Sequence, residues 1–253
     1  MIEVQTLHKS FPGKGKARGT RTRVLEGISF KAEPGKIYGL LGTNGAGKTT
    51  TMRCIATLLK PDHGTVSVNG IDTVAQPRKV RDSIGFLTGD MKLSGNLSPR
   101  ELLHFFGALN HLERDYVDTR IDELARYLNM EDFLDKQVEQ LSTGMKQKAS
   151  IAVALVHDPD VIMFDEPTAG LDILASKTVV DFLNDFRGRG KTVLLSTHIM
   201  AEAEKLCDTI GIILNGELVE EGSREELMKK MDKPNLEEVF YSLAQEKGLV
   251  AHA

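Results

Sequence analysis

The chain has 253 residues, of which 41% are hydrophobic, enough for one large α/β domain or for a domain with a sizeable insertion. Its net charge is −4, from 32 basic and 36 acidic residues, and this acidic balance argues against a nucleic-acid-binding protein. The two cysteines, Cys54 and Cys207, stand far apart in the chain, so we expect reduced, packed thiols and no disulfide framework.

The N-terminal residues predict β-strands and do not have the pattern of a targeting signal. No basic segment followed by an apolar run resembles a signal peptide, and no stretch approaches the roughly 18 apolar residues that span a bilayer. We therefore expect a soluble chain that reaches a membrane only through a partner. Apolar and polar residues alternate in IEVQTLHKSF and VLEGISF, as in half-buried antiparallel strands. Residues 13–23, with five basic residues and three glycines, predict a solvated loop, with lipid-headgroup or nucleotide contact as the alternative.

The next segments predict a parallel sheet strand, a helix and a hairpin. KIYGLLG is a continuous apolar run, typical of a buried parallel strand, and a helical pattern follows it to about Leu59. TVSVNGID combines an alternating strand with an Asn-Gly turn, which predicts a hairpin. DSIGFLTGD predicts another short strand.

The pattern becomes helical from Ser98 to His157 and then returns to strands. VIMFD and TVLLST are each followed by a helical stretch, the rhythm of a parallel sheet with crossover helices. DTIGIILNGELVEEG predicts a second hairpin with an Asn-Gly turn, and the segment from Arg224 onward predicts two amphipathic helices. We therefore divide the chain into three parts. Residues 1–88 and 159–222 form a core with an antiparallel β subdomain, residues 89–158 form an inserted helical subdomain, and residues 223–253 form a helical tail.

The segment GTNGAGKT fits the phosphate-binding pattern G-x-x-x-x-G-K-[ST], placed between a strand and a helix. Glycines free the backbone to turn its N–H groups around phosphate oxygens, and the helix N-terminus adds a favourable dipole. Lys48 then reaches the β- and γ-phosphates, and the Thr49 hydroxyl binds Mg²⁺. A glycine-rich turn without function is the weaker alternative. The expected nucleotide-binding residues of this loop are Gly42, Thr43, Asn44, Gly45, Ala46, Gly47, Lys48, Thr49 and Thr50.

Two later segments supply acidic and imidazole groups. VIMFDEP places Asp165 at the end of a buried strand, where a direct or water-mediated contact with Mg²⁺ would offset the cost of a buried charge. Glu166 is then suited to polarise the attacking water, although a pair of acids before proline could instead cap a helix. His198 follows TVLLST; taken alone it would be a structural or surface histidine, and the other two motifs favour a catalytic role.

Taken together, these motifs resemble the nucleotide-binding subunits of ATP-binding cassette (ABC) transporters along nearly the entire chain. LSTGM matches the signature sequence of that family, normally LSGGQ, TAGLD matches its D-loop, and His198 matches its switch histidine. The resemblance implies a P-loop NTPase (RecA-like) α/β core with an antiparallel β subdomain and an inserted α-helical subdomain. It also implies ATP and Mg²⁺ as cofactors, Phe11 stacked on adenine and Val24 beneath the nucleotide. Phe11 has the alternative of a plain strand core residue.

The resemblance further implies head-to-tail pairing of two cassettes, identical or pseudo-symmetric. ATP would lie between the phosphate loop of one chain and the signature of the other, contacted there by Ser142, Gly144 and Met145 and by Asp172 of the D-loop. Ser142 also has a local role, because serine before the apolar run ASIAVALV caps a helix. Gly144 would cost that helix about 1 kcal/mol relative to alanine, and we expect it to make room for the γ-phosphate of the second chain's ATP.

Two departures from the family pattern concern the Q-loop and the signature. Gly89 stands where a glutamine is usual, so Asp90 or water is expected to replace that glutamine near the metal. The signature has Thr143 for glycine and Met145 for glutamine, while Ser142 and Gly144 are kept.

The resemblance also implies what the ATPase drives. Transmembrane permease subunits would dock on the helical subdomain and the Q-loop region, placing the chain peripherally on the cytoplasmic face of a prokaryotic membrane. PNLEEVFYSLAQ resembles the tail of an exporter branch that extrudes drugs, lipids or sodium, and IGFLTGDMKL resembles the Nat-type sodium-extrusion ATPases. The alternative is a soluble ABC ATPase acting on nucleic acid or ribosomes, which the single cassette and the acidic balance disfavour.

Overall fold

Two β-sheets form the framework of the chain. The computed structural model describes residues 1–13, 19–88, 91–169, 171 and 173–249. The smaller sheet has four strands, each antiparallel to its neighbours. In spatial order its strands are β2 (Arg21–Ala32), β1 (Ile2–Pro12), β4 (His63–Val68) and β5 (Ile71–Asp72).

The larger, central sheet brings the ends of three motif-bearing strands together. In spatial order its strands are β10 (Glu217–Gly222), β9 (Thr209–Leu214), β3 (Ile37–Leu41), β8 (Thr192–Thr197), β7 (Val161–Asp165) and β6 (Ile84–Leu87). Neighbours are parallel except for β10, which runs antiparallel to β9. Every residue of β3, β7 and β8 is buried, as expected of parallel strands covered on both faces. Because β3, β8 and β7 are parallel neighbours, their carboxyl ends lie side by side.

The two faces of the central sheet bury different helices. Side chains alternate between the faces, so within β7 Met163 packs with α1 (Lys48–Ile55) and the smaller sheet. Phe164 packs on the opposite face with α5 (Thr143–Leu155) and α6 (Ile173–Gly188). The helix that follows the phosphate loop and the helix that begins at the signature are therefore separated by the sheet.

The remaining helices extend these layers. Two of them pack over the α5 face, and the C-terminal pair packs with α7 beside β9 in a third cluster of buried apolar side chains. They are α2 (Pro77–Asp82), α3 (Pro99–Leu109), α4 (Arg114–Tyr127), α7 (Met200–Leu206), α8 (Arg224–Met231) and α9 (Leu236–Glu246). Among the described residues, no helix has the length and apolar character needed to cross a membrane.

Local sequence signals account for the turns and the cysteines. Both predicted Asn-Gly hairpins are confirmed: Asn69 and Gly70 join β4 to β5, and Asn215 and Gly216 join β9 to β10, all four with positive φ. Both cysteines are free, as expected.

Two predicted boundaries were wrong. The loop predicted over residues 13–23 ends earlier, because β2 begins at Arg21 and Gly13 N–H donates to Thr20 C=O at 2.8 Å. Residues 14–18 of that loop lie outside the described part of the chain. The helix predicted to reach Leu59 ends at Ile55, since Thr57 has a left-handed φ of 62° that no helix continues.

Candidate functional site

The phosphate loop leaves β3 at Leu41 and enters α1 at Lys48. Gly47 caps α1 with φ of 114°, and a β-carbon there would lie 2.7 Å from Leu25 Cδ2 and 3.1 Å from Val24 C=O. Glycine is therefore required at this position both by conformation and by space. No side chain caps the helix, so the N–H groups of its first turn are available to an anion. The tip of the loop, Thr43, Asn44 and Gly45, is exposed, while Ala46 and Gly47 are buried.

Lys48 folds back across this loop with its side chain only 5% exposed. Its Nζ donates to the carbonyl oxygens of Gly42 at 2.8 Å and Thr43 at 3.1 Å. Burial lowers the pKa of the Lys48 ammonium, and the nearby carboxylates of Glu166 and Asp165 oppose that shift. A buried ammonium held by two carbonyl dipoles is placed to bind a further anion at the loop.

Asp165 is the last residue of β7, which β8 separates from β3, and Glu166 follows it. Asp165 is buried and accepts a hydrogen bond from the Ser196 hydroxyl of β8. Glu166 adopts a left-handed φ of 53°, and its N–H donates to Ser196 C=O at 3.1 Å. The alternative that this acidic pair caps a helix is wrong, because α6 begins only at Ile173.

Three predicted residues meet at one oxygen atom. His198 Nδ1 lies 2.9 Å from Glu166 Oε1, and Lys48 Nζ lies 3.9 Å from the same atom. They come from the ends of β8, β7 and β3, which the sheet order places side by side. His198 is largely exposed and thus not a core histidine. A cation, a carboxylate and an imidazole therefore converge where the phosphate loop opens.

The donor set near this point fits Mg²⁺. Thr49 is partly exposed in the first turn of α1, and Asp165 contributes carboxylate oxygens at the adjacent strand end. Within the described residues no three His, Cys, Asp or Glu side chains gather as a metal site. A hydroxyl and one carboxylate are nevertheless sufficient, since Mg²⁺ bound beside nucleotides takes most of its ligands from phosphates and water.

Val24 and Phe11 lie on the smaller sheet, in β2 and β1. The Val24 carbonyl borders Gly47, which places this residue next to the phosphate loop. Phe11 is only partly buried, so it is not a plain core residue, and Lys9 Nζ lies 5.6 Å from its ring centroid. The place of Val24 beside the loop agrees with a residue that lines a bound nucleotide. The contacts of Val24 and Phe11 with a nucleotide stay a prediction.

The signature residues begin α5. Ser142 is the N-cap and its hydroxyl accepts from Met145 N–H at 3.3 Å, which confirms the local capping role. A β-carbon at Gly144 would lie 3.2 Å from Ala175 Cβ of α6, so the chain's own packing gives a reason for glycine that sequence alone did not reveal. Ser142 is exposed, Gly144 and Met145 are half-buried, and α5 lies across the central sheet from α1.

Three residues predicted for the site lie outside the described part of the chain, and two residues that hydrogen-bond to the site were not predicted. Asp172, Gly89 and Asp90 lie outside the described residues. Sequence reasoning missed Ser196, whose hydroxyl binds Asp165, and Glu202, whose carboxylate accepts from the Thr168 and Thr197 hydroxyls. Ser196 had a signal, because it is a polar residue inside the buried strand TVLLST; Glu202 had none.

Comparison with known proteins bears on this geometry. The family model described as ABC transporter matches residues 25–169. The chain is 40% identical to the ABC transporter ATP-binding protein NatA of Bacillus subtilis, over 96% of the chain and 97% of that protein. It is 38% identical to the Nod factor export ATP-binding protein I of Burkholderia lata, over 81% of the chain and 68% of that protein.

A solved structure of similar sequence shares the fold. It is described as the ATP binding subunit of an ABC transporter, is 31% identical, and superposes with a TM-score of 0.84 over 96% of this chain and 99% of its own. The expected α/β phosphate-loop core with an antiparallel sheet and added helices is thereby confirmed.

Proposed function

This chain belongs to the ABC transporter family as an ATP-binding subunit, and we propose that it binds and hydrolyses ATP to drive separate transmembrane export subunits. One observation carries the proposal: Lys48, Glu166 and His198 converge at Glu166 Oε1, beside the open N-terminus of α1. This is the set of groups that phosphoryl transfer requires, namely a cation, a base and donors for the developing charge.

ATP would bind with its phosphates along residues 42–50. Backbone N–H groups of the loop and of the first turn of α1 surround the phosphates, and Lys48 exchanges its carbonyl partners for phosphate oxygens. Val24 and Phe11 would contact the sugar and base. Thr49 and Asp165 would hold Mg²⁺, which neutralises phosphate charge when bound.

Glu166 would orient and deprotonate the attacking water. Its carboxylate is half-buried and within reach of His198 Nδ1, so the imidazole can donate to Glu166 or turn toward the γ-phosphate. His198 would stabilise the charge that develops on the transferred group. The chain's own residues thus contribute positioning, one base and two cationic or donor groups.

The signature would serve the nucleotide of a second cassette. The central sheet separates α5 from α1, so Ser142 and Gly144 lie on the face opposite the phosphate loop of their own chain. Head-to-tail pairing of two chains satisfies both sites. In that arrangement Ser142, Gly144, Met145 and Asp172 approach the γ-phosphate across the interface.

An apolar groove supports docking of a permease. It has a volume of about 420 Å³ and lies between the C-terminal end of α1, β6, α3 and α5. Thr88 and Met91, which flank residues 89 and 90, line it, so it adjoins the predicted Q-loop. Its other lining side chains include Leu58, Arg81, Phe86, Phe106 and His157. Occupied by a membrane subunit, this groove would hold the chain at the cytoplasmic face of the membrane. The proposal includes no nucleic acid as a partner.

The direction of transport is proposed as export. The relative from Burkholderia lata is described as an export protein. The tail forms the two helices predicted from its pattern, and PNLEEVFYSLAQ, which resembles the tail of the exporter branch, lies largely in the second of them. The transported compound, sodium or an organic molecule, would be selected by the membrane subunits. The division of the chain also remains part of this proposal: a core at residues 1–88 and 159–222, an inserted helical subdomain at residues 89–158 and a tail at residues 223–253.

Lys48→Ala tests the ATPase assignment. Loss of the buried ammonium should abolish measurable ATP binding and turnover, because Lys48 is the lysine that lies within the phosphate loop, with its Nζ 3.9 Å from Glu166 Oε1. Binding is measured by fluorescence titration with a labelled ATP analogue, and turnover by phosphate release. Lys79→Ala, an exposed lysine of α2, serves as the control. Wild-type turnover by Lys48→Ala would refute the proposed function.

A further inference from the structure

The Glu202 carboxylate joins the two loops that carry Glu166 and His198. Glu202 lies in the first turn of α7. Its Oε1 accepts from the Thr168 hydroxyl at 2.5 Å, and its Oε2 accepts from the Thr197 hydroxyl at 2.5 Å. Thr168 is two residues after Glu166, and Thr197 directly precedes His198. One side chain therefore links the end of β7 to the end of β8.

The bridge extends to the backbone on the His198 side. Thr197 is buried, donates its hydroxyl hydrogen to Glu202, and accepts from Ile199 N–H at 3.0 Å. The hydroxyl thus fixes the backbone before and after His198. Without an acceptor at Glu202, this buried hydroxyl would lose its partner, which is unfavourable.

The loop on the Glu166 side needs external support. Glu166 has a left-handed φ of 53°, a conformation that is unfavourable for a residue other than glycine and persists where surrounding contacts impose it. Gln147 Nε2 of α5 donates to Pro167 C=O at 3.2 Å from one side. Glu202 holds Thr168, the next residue, from the other side.

We propose that Glu202 is a positioning residue for ATP hydrolysis, which fixes Glu166 relative to His198 by bridging Thr168 and Thr197. The inference rests on the proposed function, because that function assigns Glu166 and His198 to the reaction. Glu202 acts through these residues and contacts neither nucleotide nor water in the reaction. Its removal should therefore affect the transition state more than the binding of ATP.

Glu202→Ala breaks both hydrogen bonds. Glu202 binds the side chains of Thr168 and Thr197, whereas the phosphate loop meets Thr197 through the backbone, where Gly42 N–H donates to Thr197 C=O at 3.3 Å. KM for ATP should therefore stay within about twofold, whereas kcat should fall roughly 10- to 100-fold through misplacement of Glu166. Glu202→Gln keeps the shape and one acceptor oxygen, so it should recover part of the lost kcat. A purely structural residue would instead lower the melting temperature without this separation of kcat from KM.

Glu204 provides the matched control on the same helix. It faces the C-terminal helices, where it accepts from Leu236 N–H at 2.9 Å and lies 3.7 Å from Arg224. Glu204→Ala should lower the melting temperature while leaving kcat within about twofold. Thr168→Val removes one of the two bonds without altering α7, and it decides the question if Glu202→Ala does not fold.

The experiment measures kcat, KM and melting temperature for the full chain and these variants, at a protein concentration that saturates activity. Thr168→Val should lower kcat less than Glu202→Ala does, and the double variant should lose no more than Glu202→Ala alone. The inference is overturned if Glu204→Ala loses as much kcat as Glu202→Ala, if KM carries the effect, or if Thr168→Val retains full kcat. Lys48→Ala in the same assay reports separately on the proposed function.

Discussion

Glu166 draws its polar contacts from two neighbouring strand ends. His198 and Lys48 both approach Oε1, and a phosphate bound at the loop would compete for Lys48. Nucleotide binding would then leave Glu166 with His198 and an open side toward the attacking water. In the proposed function, ATP binding and activation of Glu166 would therefore be coupled through Lys48.

Glu166→Gln should bind ATP but hydrolyse it roughly 100- to 1,000-fold more slowly, because an amide of the same shape accepts no proton from water. The ATP-bound pair of chains should therefore accumulate. Phosphate release measures turnover, and gel filtration with and without ATP measures pairing. Glu217→Gln, an ion-paired glutamate of β10, is the control. Hydrolysis by Glu166→Gln at the wild-type rate would show that another group is the base.

Gly144 has two candidate reasons for being glycine, and a paired variant separates them. Gly144→Ala should abolish most ATPase activity, either by crowding Ala175 within the chain or by obstructing the nucleotide of the second chain. Adding Ala175→Gly removes the internal crowding. We expect the double variant to relieve the packing defect, so its melting temperature should be higher than the effects of the two single substitutions would give if they simply added. We do not expect it to restore phosphate release. Recovery of activity would assign Gly144 to internal packing alone.

At the scale of elements, Asp62 ties the end of β1 and the start of β2 to the loop after α1. It accepts from Ser10 N–H at 2.8 Å and from the Ser10 hydroxyl at 2.7 Å, and it pairs with Lys9 and Arg21, each at 3.1 Å. The Ser10 hydrogen bonds, followed by those from Lys9, hold the pKa of Asp62 well below its usual range. This cluster also explains why β2 begins as early as Arg21.

Asp62→Asn should reduce the free energy of unfolding by about 1–2 kcal/mol at pH 7, the scale of hydrogen bonds to a charged group. Because the folded-state pKa is depressed, the stabilisation is complete above the unfolded pKa of about 3.9 and is lost as pH falls through the folded value. The difference from wild type should therefore shrink below about pH 4. Urea unfolding between pH 7 and 3.5 measures it, with Glu26→Gln on β2 as control. A difference independent of pH would contradict the charge argument.

Local signals explain how far sequence alone could predict this fold and site. Period-two alternation identified β1, Asn-Gly identified both hairpins, and GTNGAGKT identified the loop, since each signal lies within one element. The contacts of Glu202, Asp62 and Gly144 could not be predicted in this way. Most of their partners are distant in the chain. The neighbouring strands β8 and β7 bring Thr168 to Glu202, the pairing of β1 with β2 and β4 brings Ser10 and Arg21 to Asp62, and the packing of α5 on α6 brings Ala175 to Gly144.

At the scale of the whole molecule, the proposed permease groove collects side chains from both the sheet core and the inserted helices. Leu58 is 59% exposed at its rim, although it is a large aliphatic residue. A covering partner would bury it together with Phe86 and Phe106. Under the proposed function, the groove would be a place where motion of the helical insertion reaches a membrane subunit.

Leu58→Asp should weaken co-purification of the chain with its membrane subunit about 10-fold or more, because burial of a carboxylate against an apolar surface is unfavourable. ATP binding by the isolated chain should not change. Val74→Asp is the matched control, since Val74 is 46% exposed and does not line the groove. Equal membrane recovery of both variants would place the docking surface elsewhere.

The central sheet separates α1 from α5, so in the proposed pairing the ATPase activity would depend on the effective concentration of a second chain. If one chain cannot complete its own site, its ATPase activity depends on how often a second chain is nearby. Free chains at low concentration in solution should therefore hydrolyse ATP very slowly. Two docking sites on one membrane assembly would hold two chains at a local concentration of order millimolar. Under the proposed pairing, this geometry would limit ATP hydrolysis by chains that are away from the transporter.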